Sequence, residues 1–212
     1  MRPFRRAGER YDARAPRRQG DAMDETTGGS LEGRRGRFLA LFRDHEAEGR
    51  WDGRPLAVAS PAVGTIVLDA HAEVAGYSSD VVTRLRAPVP NPDGFRFRLK
   101  AAGLLAPLAT LLGAEDIEVG DPAFDRAFVV QSNEPARTKS LFADAELRAA
   151  LVAARPALVE VKDDEGWFGD EIPPGVDELY LEIPGKVLAP PALAALFAPF
   201  ELLCVRFLAT RR

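Results

Sequence analysis

Residues 117–151 read IEVGDPAFDRAFVVQSNEPARTKSLFADAELRAAL, and this stretch decides the fold. Ile117 and Val119 favour an extended chain. The tripeptide at 120–122, Gly-Asp-Pro, is a turn signal, because Gly accepts a positive φ and Pro fixes its own φ. The apolar alternation of residues 127–131 predicts a second strand. The stretch therefore predicts a β-turn-β-α unit.

Two helix starts follow the second predicted strand. Ser132 or Asn133 is predicted to cap the first helix, and Asp144 is predicted to cap the second, because their short polar side chains accept hydrogen bonds from free N–H groups. Phe124 and Phe128 are four residues apart, which suits one helical turn, and both are expected to anchor the core.

The run GDPAFDRAFVVQSNEPAR and the helix LFADAELRAAL that follows it resemble an uncharacterised bacterial domain family with the motif G-D-P-x-F-[DE]-x-x-F-x-V. The resemblance covers residues 117–182. Many family members carry the motif behind membrane helices, whereas no convincing spanning helix precedes it in this sequence. No reaction is assigned to the family, so the resemblance implies a fold and no catalytic residues.

The length and composition predict one compact domain. The 212 residues are 46% hydrophobic, which is enough for a sizeable core. The mixture of strand and helix patterns predicts a single α+β domain over residues 34–212, with a mixed or mainly antiparallel sheet and three to four helices. Residues 1–33 contain few apolar side chains and are expected to be a disordered, Arg-rich extension, with Met23 as an alternative start.

The charge and the cysteine and histidine content argue against several kinds of partner and site. The net charge is −4, but residues 1–22 hold seven Arg against three acids, so the remainder carries about −8. This acidity weighs against nucleic acid as a partner. The single Cys204 excludes an internal disulfide, and His45 and His71 are too few for a histidine-rich metal site. We expect no cofactor and a location in the cytoplasm or at the periphery of the inner membrane.

The remaining elements follow from local pattern. A first helix is predicted over 34–49, two extended segments within 54–74 around Ser60-Pro61, further strands at 79–86, 95–100, 157–162 and 178–183, and a short helix or turn at 101–113. Residues 88–94 contain three prolines and are predicted to form a loop that is unsuited to a central strand.

The strand at 95–100 alternates cleanly between Phe or Leu and Arg or Lys. If strand 79–86 pairs with it across the loop, one solvated sheet face gathers five cations, namely Arg84, Arg86, Arg96, Arg98 and Lys100. This basic face is either a surface for an anionic partner, such as phosphate, acidic protein or anionic lipid, or a water-facing side whose cations prevent edge pairing.

Residues 189–208 are apolar and are predicted to form a closing core helix that Pro199 breaks or kinks. Two alternatives remain open. The helix buries its apolar side on a partner, which allows a homo-oligomer, or it spans a membrane, which Glu201 and Arg206 disfavour. Cys204 within it is expected to be a buried hydrophobe.

Asp121 and Asp125 lead a group of acids around the opening turn. Carboxylates on loops bind Mg²⁺ or Ca²⁺ through hard oxygens or act as an acid and base pair, but Asp121 has a simpler role in bonding the turn backbone. The sequence therefore favours a non-enzymatic binding or scaffolding domain. The alternative is a metal-assisted hydrolase that uses Asp121 and Asp125.

Overall fold

The computed structural model describes residues 30–45, 53–75, 78–103, 116–162 and 173–211. Within these ranges the helices are α1 (Leu31–His45), α2 (Pro122–Ala127), α3 (Pro135–Leu141), α4 (Ala145–Ala154) and α5 (Pro190–Ala209). The strands are β1 (Leu56–Ser60), β2 (Gly64–Ala75), β3 (Ser78–Pro90), β4 (Phe97–Ala101), β5 (Phe128–Ser132), β6 (Leu158–Lys162) and β7 (Val176–Pro184). Residues 1–29 of the predicted extension and residues 104–113 of the predicted helix or turn lie outside the described residues.

The seven strands form one sheet in the order β1-β2-β3-β7-β6-β4-β5. Every pair of neighbours is antiparallel. The predicted α+β single-domain class is confirmed, although the described residues form five helices where three to four were expected.

One face of the sheet carries the apolar core. A single register row crosses all seven strands on this face and consists of Leu56, Leu68, Leu85, Leu181, Val159, Leu99 and Val130. The helices cover this face, because the Phe97 ring lies 5.6 Å from Phe142 and 6.5 Å from Phe207 of α5. Burial of such side chains is the main favourable term in folding.

The first part of the stretch, residues 117–127, differs from its prediction. Ile117 and Val119 do not form a strand, and residues 122–127 form helix α2, so the order is coil, helix and then strand β5. Asp121 caps α2 by accepting hydrogen bonds from two backbone N–H groups of its first turn, which explains why this segment became helical. Gly120 adopts φ +87°, as the predicted turn requires.

The two predicted core anchors, Phe124 and Phe128, and the predicted helix cap Asp144 are confirmed. Phe124 and Phe128 are buried with their ring centroids 5.1 Å apart. Asp144 accepts hydrogen bonds from two N–H groups at the start of α4. The predicted cap of α3 is wrong, because Glu134 occupies that position and Ser132 Oγ accepts its N–H at 2.9 Å.

The loop predicted over residues 88–94 is confirmed for 91–94 and wrong for 88–90. Strand β3 runs through Pro90 and pairs with β7 along residues 82–90. The ladder to β2 extends only as far as Arg86, so Pro88 and Pro90 have a paired neighbour on one side alone. The missing proline N–H groups therefore cost no ladder bond on the other side.

Helix α5 is continuous through Pro199, so the predicted break does not occur. It is long and apolar enough to cross a membrane by length and composition, but 67% of its most apolar window is buried inside the fold. Phe197 packs against Phe38 of α1 with ring centroids 4.7 Å apart, and Phe200, Cys204 and Phe207 are fully buried. This packing offsets the hydrogen bond that Pro199 removes.

We expect Phe97→Ala to destabilise the fold by about 3–5 kcal/mol, because a fully buried ring leaves a cavity. The change in the free energy of unfolding is measured by urea titration. Val81→Ala is the control, since Val81 is 39% exposed on β3 and its loss is expected to cost less than about 0.5 kcal/mol. Equal effects of the two substitutions would contradict the position of the core.

Candidate functional site

Strand β1 is the outermost strand at one end of the sheet, and within the described residues its outer edge, here called the open edge, has no neighbouring strand. It pairs with β2, and no backbone group in the described part of the chain hydrogen-bonds to its other side. Its sequence, LAVAS, has no charge. Val58 and Ser60 are buried towards the helices, whereas Ala57 and Ala59 are exposed. The edge therefore presents backbone N–H and C=O groups flanked by small side chains.

The opposite edge of the sheet, formed by β5, is partly covered. Ile117 N–H donates to the Val130 carbonyl of β5 at 2.8 Å. Gln131 Nε2 of the same strand donates to Asp116 Oδ1 at 3.2 Å. The coil at 116–119 thus occupies part of the outer side of β5, as natural sheets commonly cover their edges. The β5 edge is therefore partly covered, whereas no described residue covers the β1 edge.

A buried carboxylate holds β1 in place. Ser60 Oγ donates to Glu201 Oε1 of α5 at 2.6 Å. Arg34 Nη1 and Arg37 Nη2 of α1 donate to Glu201 Oε2 at 2.9 and 3.0 Å. Glu201 is only 1% exposed, so its bonds to Ser60 and the buried Arg34 act away from water and are strengthened by the low local dielectric. The last residue of β1 is therefore fixed to both α1 and α5.

The structure brings four of the five predicted cations to one face, which we term the polar face. A register row on this face links Arg86, Tyr180, Glu160 and Arg98, and the next row links Arg84, Glu182, Leu158 and Lys100. The expected pairing of strand 79–86 with strand 95–100 does not occur, because β7 and β6 lie between β3 and β4. In each row, one acid from those two strands lies between the cations.

The predicted arginines are paired rather than free. Arg98 Nε donates to Glu160 Oε2 at 2.6 Å. Arg96 lies just before β4, and its Nη2 donates to Asp177 Oδ1 at 3.2 Å. Lys100 is partly buried on β4, with its side chain on the polar face. The face is therefore close to charge balance and not the solvated cationic surface that the sequence predicted.

Asp69 of β2 organises the buried end of this face. Arg84 donates to both of its carboxylate oxygens at 3.0 and 2.7 Å, and Arg86 Nη2 donates to Oδ2 at 2.8 Å. Burial alone would raise the pKa of Asp69, but the Arg84 hydrogen bond and the two guanidinium charges lower it overall. Burial is also the main cause that lowers the pKa of Arg86 to about 10, against the attraction of Asp69. Arg86 remains charged at neutral pH.

Asp121 and Asp125 have structural partners. Asp121 Oδ1 accepts from the N–H groups of Ala123 and Phe124, and its Oδ2 accepts from Arg148 Nε at 2.9 Å. The hydrogen bond from Arg148 is the main cause that lowers the pKa of Asp121. Asp125 accepts from the backbone N–H groups at 119 and 120 at 2.9 and 3.0 Å. All four carboxylate oxygens therefore already accept hydrogen bonds.

The other candidate groups stand apart from one another. Cys204 is fully buried, and burial, followed by the charge of Glu201, raises the pKa of its thiol. His71 is exposed on β2. Nowhere in the described ranges do three His, Cys, Asp or Glu side chains come together as metal ligands.

Sequence reasoning missed the open edge of β1. The available signal was the uncharged run at 56–60, since the other described strands except β5 contain charged residues. Reasoning from the cations alone also missed Asp69, Glu160 and Asp177, because their partners come from strands or loops that are distant in sequence.

No protein-family model, curated protein or solved structure matches the chain. The resemblance carried by residues 117–182 stays a prediction.

We expect Asp69→Asn to destabilise the protein by about 3–5 kcal/mol at pH 7, because it removes the carboxylate charge that pairs with the buried Arg86. The folded-state pKa of Asp69 lies below its ordinary value of 3.8, so its contribution is present above pH 3.8 and lost as pH falls through the folded-state pKa. The difference between wild type and variant should therefore shrink in strong acid.

Urea titrations at several pH values measure this difference. Glu118→Gln is the matched control, because Glu118 is exposed and its loss should cost less than about 0.5 kcal/mol. A difference from wild type that persists undiminished in strong acid would show that Asp69 does not act through its charge.

Titration calorimetry with Mg²⁺, Mn²⁺ and Ca²⁺ tests the acidic turn. We expect no saturable heat, because the oxygens of Asp121 and Asp125 are occupied by N–H donors. Asp121→Asn and Asp125→Asn should then alter only the melting temperature. Saturable heat in the wild type that both substitutions remove would instead favour the hydrolase.

Proposed function

We propose that the chain is a non-enzymatic binding or scaffolding domain that takes up an extended peptide segment along the outer edge of β1. The observation that carries the proposal is the contrast between the two edges of the sheet. Residues 116–119 cover β5, whereas β1 is uncharged and has no backbone partner on its outer side among the described residues.

An added strand would satisfy groups that already point outward. Each backbone hydrogen bond contributes about 0.5–1.5 kcal/mol net, so a five-residue edge supports weak and reversible binding. Ala57 and Ala59 flank this edge and leave room for small, uncharged side chains on the incoming segment. The bonds that join Ser60, Glu201 and α1 hold the edge in one position, which reduces the ordering cost of binding.

The chemistry of the acidic turn adds support. Asp121 caps α2 and bonds Arg148, and Asp125 holds the backbone of the preceding turn, so each carboxylate has a structural task. The hydrolase and the anionic partner stay predictions without a contact that favours them. A cytoplasmic location is part of the proposal, since the buried Cys204 suits a reducing compartment.

A fluorescein-labelled peptide of alternating threonine and valine, with a lysine at each end, tests strand addition. We expect fluorescence anisotropy to saturate with a dissociation constant of about 10 μM to 1 mM, or about 4–7 kcal/mol. Hydrogen exchange should slow in residues 56–60 and remain unchanged in residues 128–132. The labelled peptide is held at a fixed low concentration while the protein is titrated to millimolar, and hydrogen exchange is compared with that of the protein alone at the same concentration.

A peptide with proline in place of its central residue is the control, because proline cannot donate a ladder hydrogen bond. It should bind at least about tenfold more weakly, which corresponds to about 1.4 kcal/mol. Equal binding of both peptides, or no saturation at millimolar protein, would overturn strand addition at β1.

A further inference from the structure

We infer that the segment that pairs with β1 is β1 of a second copy of this chain, in an antiparallel arrangement about a two-fold axis at Val58. This inference rests on the proposed function, and it adds the identity of the partner. It follows from the symmetry of an open strand edge, the absence of charge in β1 and the cover on β5.

An antiparallel pair of identical strands is self-complementary. Full overlap of the five residues places position 56 of one copy opposite 60 of the other, 57 opposite 59, and Val58 opposite itself. Both copies then satisfy the outward N–H and C=O groups of the shared edge, as in other two-fold interfaces. The two seven-stranded sheets would become one continuous sheet.

The side chains of β1 allow this close approach. Residues directly opposite each other on neighbouring strands have Cβ atoms about 4.5–5.5 Å apart. At that distance Ala57 and Ala59 neither clash nor repel, since both are small and neutral. Like charges directly opposite each other would be destabilising, and β1 contains none.

No other described strand combines these properties. Charged residues lie on β2, β3, β4, β6 and β7, for example Asp69, Arg84, Arg98, Glu160 and Glu182. Strand β5 is uncharged, but Ile117 already bonds to its outer edge. Self-pairing without electrostatic cost is therefore confined, within the described sheet, to β1.

In the proposed dimer, helix α1 lies close to the two-fold axis because Glu201 links it to β1. Ser60 faces the helices and bonds Glu201, which in turn bonds Arg34 and Arg37 of α1. Two copies joined at β1 would therefore carry their α1 helices to the same side of the joined sheet. Since five-residue strands alone bury less than the roughly 1,200–2,000 Å² of a standard stable interface, we expect a dimer with a dissociation constant in the micromolar range.

Analytical ultracentrifugation of the full chain from about 5 to 500 μM measures the association, a range that brackets the expected constant. Two double variants with the same pair of exposed positions are compared. Ala57→Lys/Ala59→Lys places like charges opposite each other twice, whereas Ala57→Lys/Ala59→Asp places opposite charges there twice. Both should melt at the wild-type temperature, because Ala57 and Ala59 are exposed.

We expect the wild type and the Lys/Asp variant to dimerise, and the Lys/Lys variant to dissociate at least about tenfold more readily. Added salt should partly restore the Lys/Lys dimer by screening its repulsion. A wild type that stays monomeric throughout, or two double variants with equal dissociation constants, would overturn the inference.

The peptide titration separates this failure from failure of the proposed function. A monomeric chain that binds the threonine-valine peptide keeps strand addition and rules out a second copy as the occupant. A chain that neither dimerises nor binds the peptide overturns both. A dimer that is indifferent to both double variants forms through another surface, such as the exposed parts of α5, and overturns the inference.

Discussion

The carboxylate of Glu201 connects three elements that are far apart in sequence. It lies inside the helix layer and accepts hydrogen bonds from Arg34 and Arg37 of α1 and from Ser60 at the end of β1. A buried guanidinium without a counter-charge is costly, so this carboxylate stabilises the packing of α1 on α5. The same group fixes the position of β1, and the open edge depends on it.

The two faces of the sheet carry different side chains, apolar on one and charged on the other, and both depend on the same strand register. The row from Leu56 to Val130 is apolar and lies under the helices, whereas in the adjacent row Glu160 lies between the cations Arg86 and Arg98. Buried ion pairs contribute little net stability, because desolvation offsets their attraction, but they penalise any register that would separate the charges. The polar face therefore favours one strand order more than it stabilises the fold.

The two edges of the sheet differ in how far their backbone groups are bonded, and the proposed function depends on this difference. A coil occupies part of the outer side of β5, and charges or neighbours protect the inner strands. Strand β1 has neutral, small side chains and no backbone partner on its outer side among the described residues. An edge of this kind suits the proposed addition of another extended segment, including a second copy of β1. The proposed binding through the backbone also fits a chain in which Asp121 caps α2 and Asp125 holds the backbone of the preceding turn.

The sequence by itself determined what short spacings encode. The alternation in 95–100 placed Phe97 in the core and Arg98 on the other face, and Asp144 was recognisable as a helix cap because its partners are two and three residues away. Only the tertiary structure decided that Arg98 meets Glu160, 62 residues further along the chain, and that β1 ends the sheet with an open edge. Strand order depends on packing and loop closure between distant segments, and no local pattern of residues records those energies.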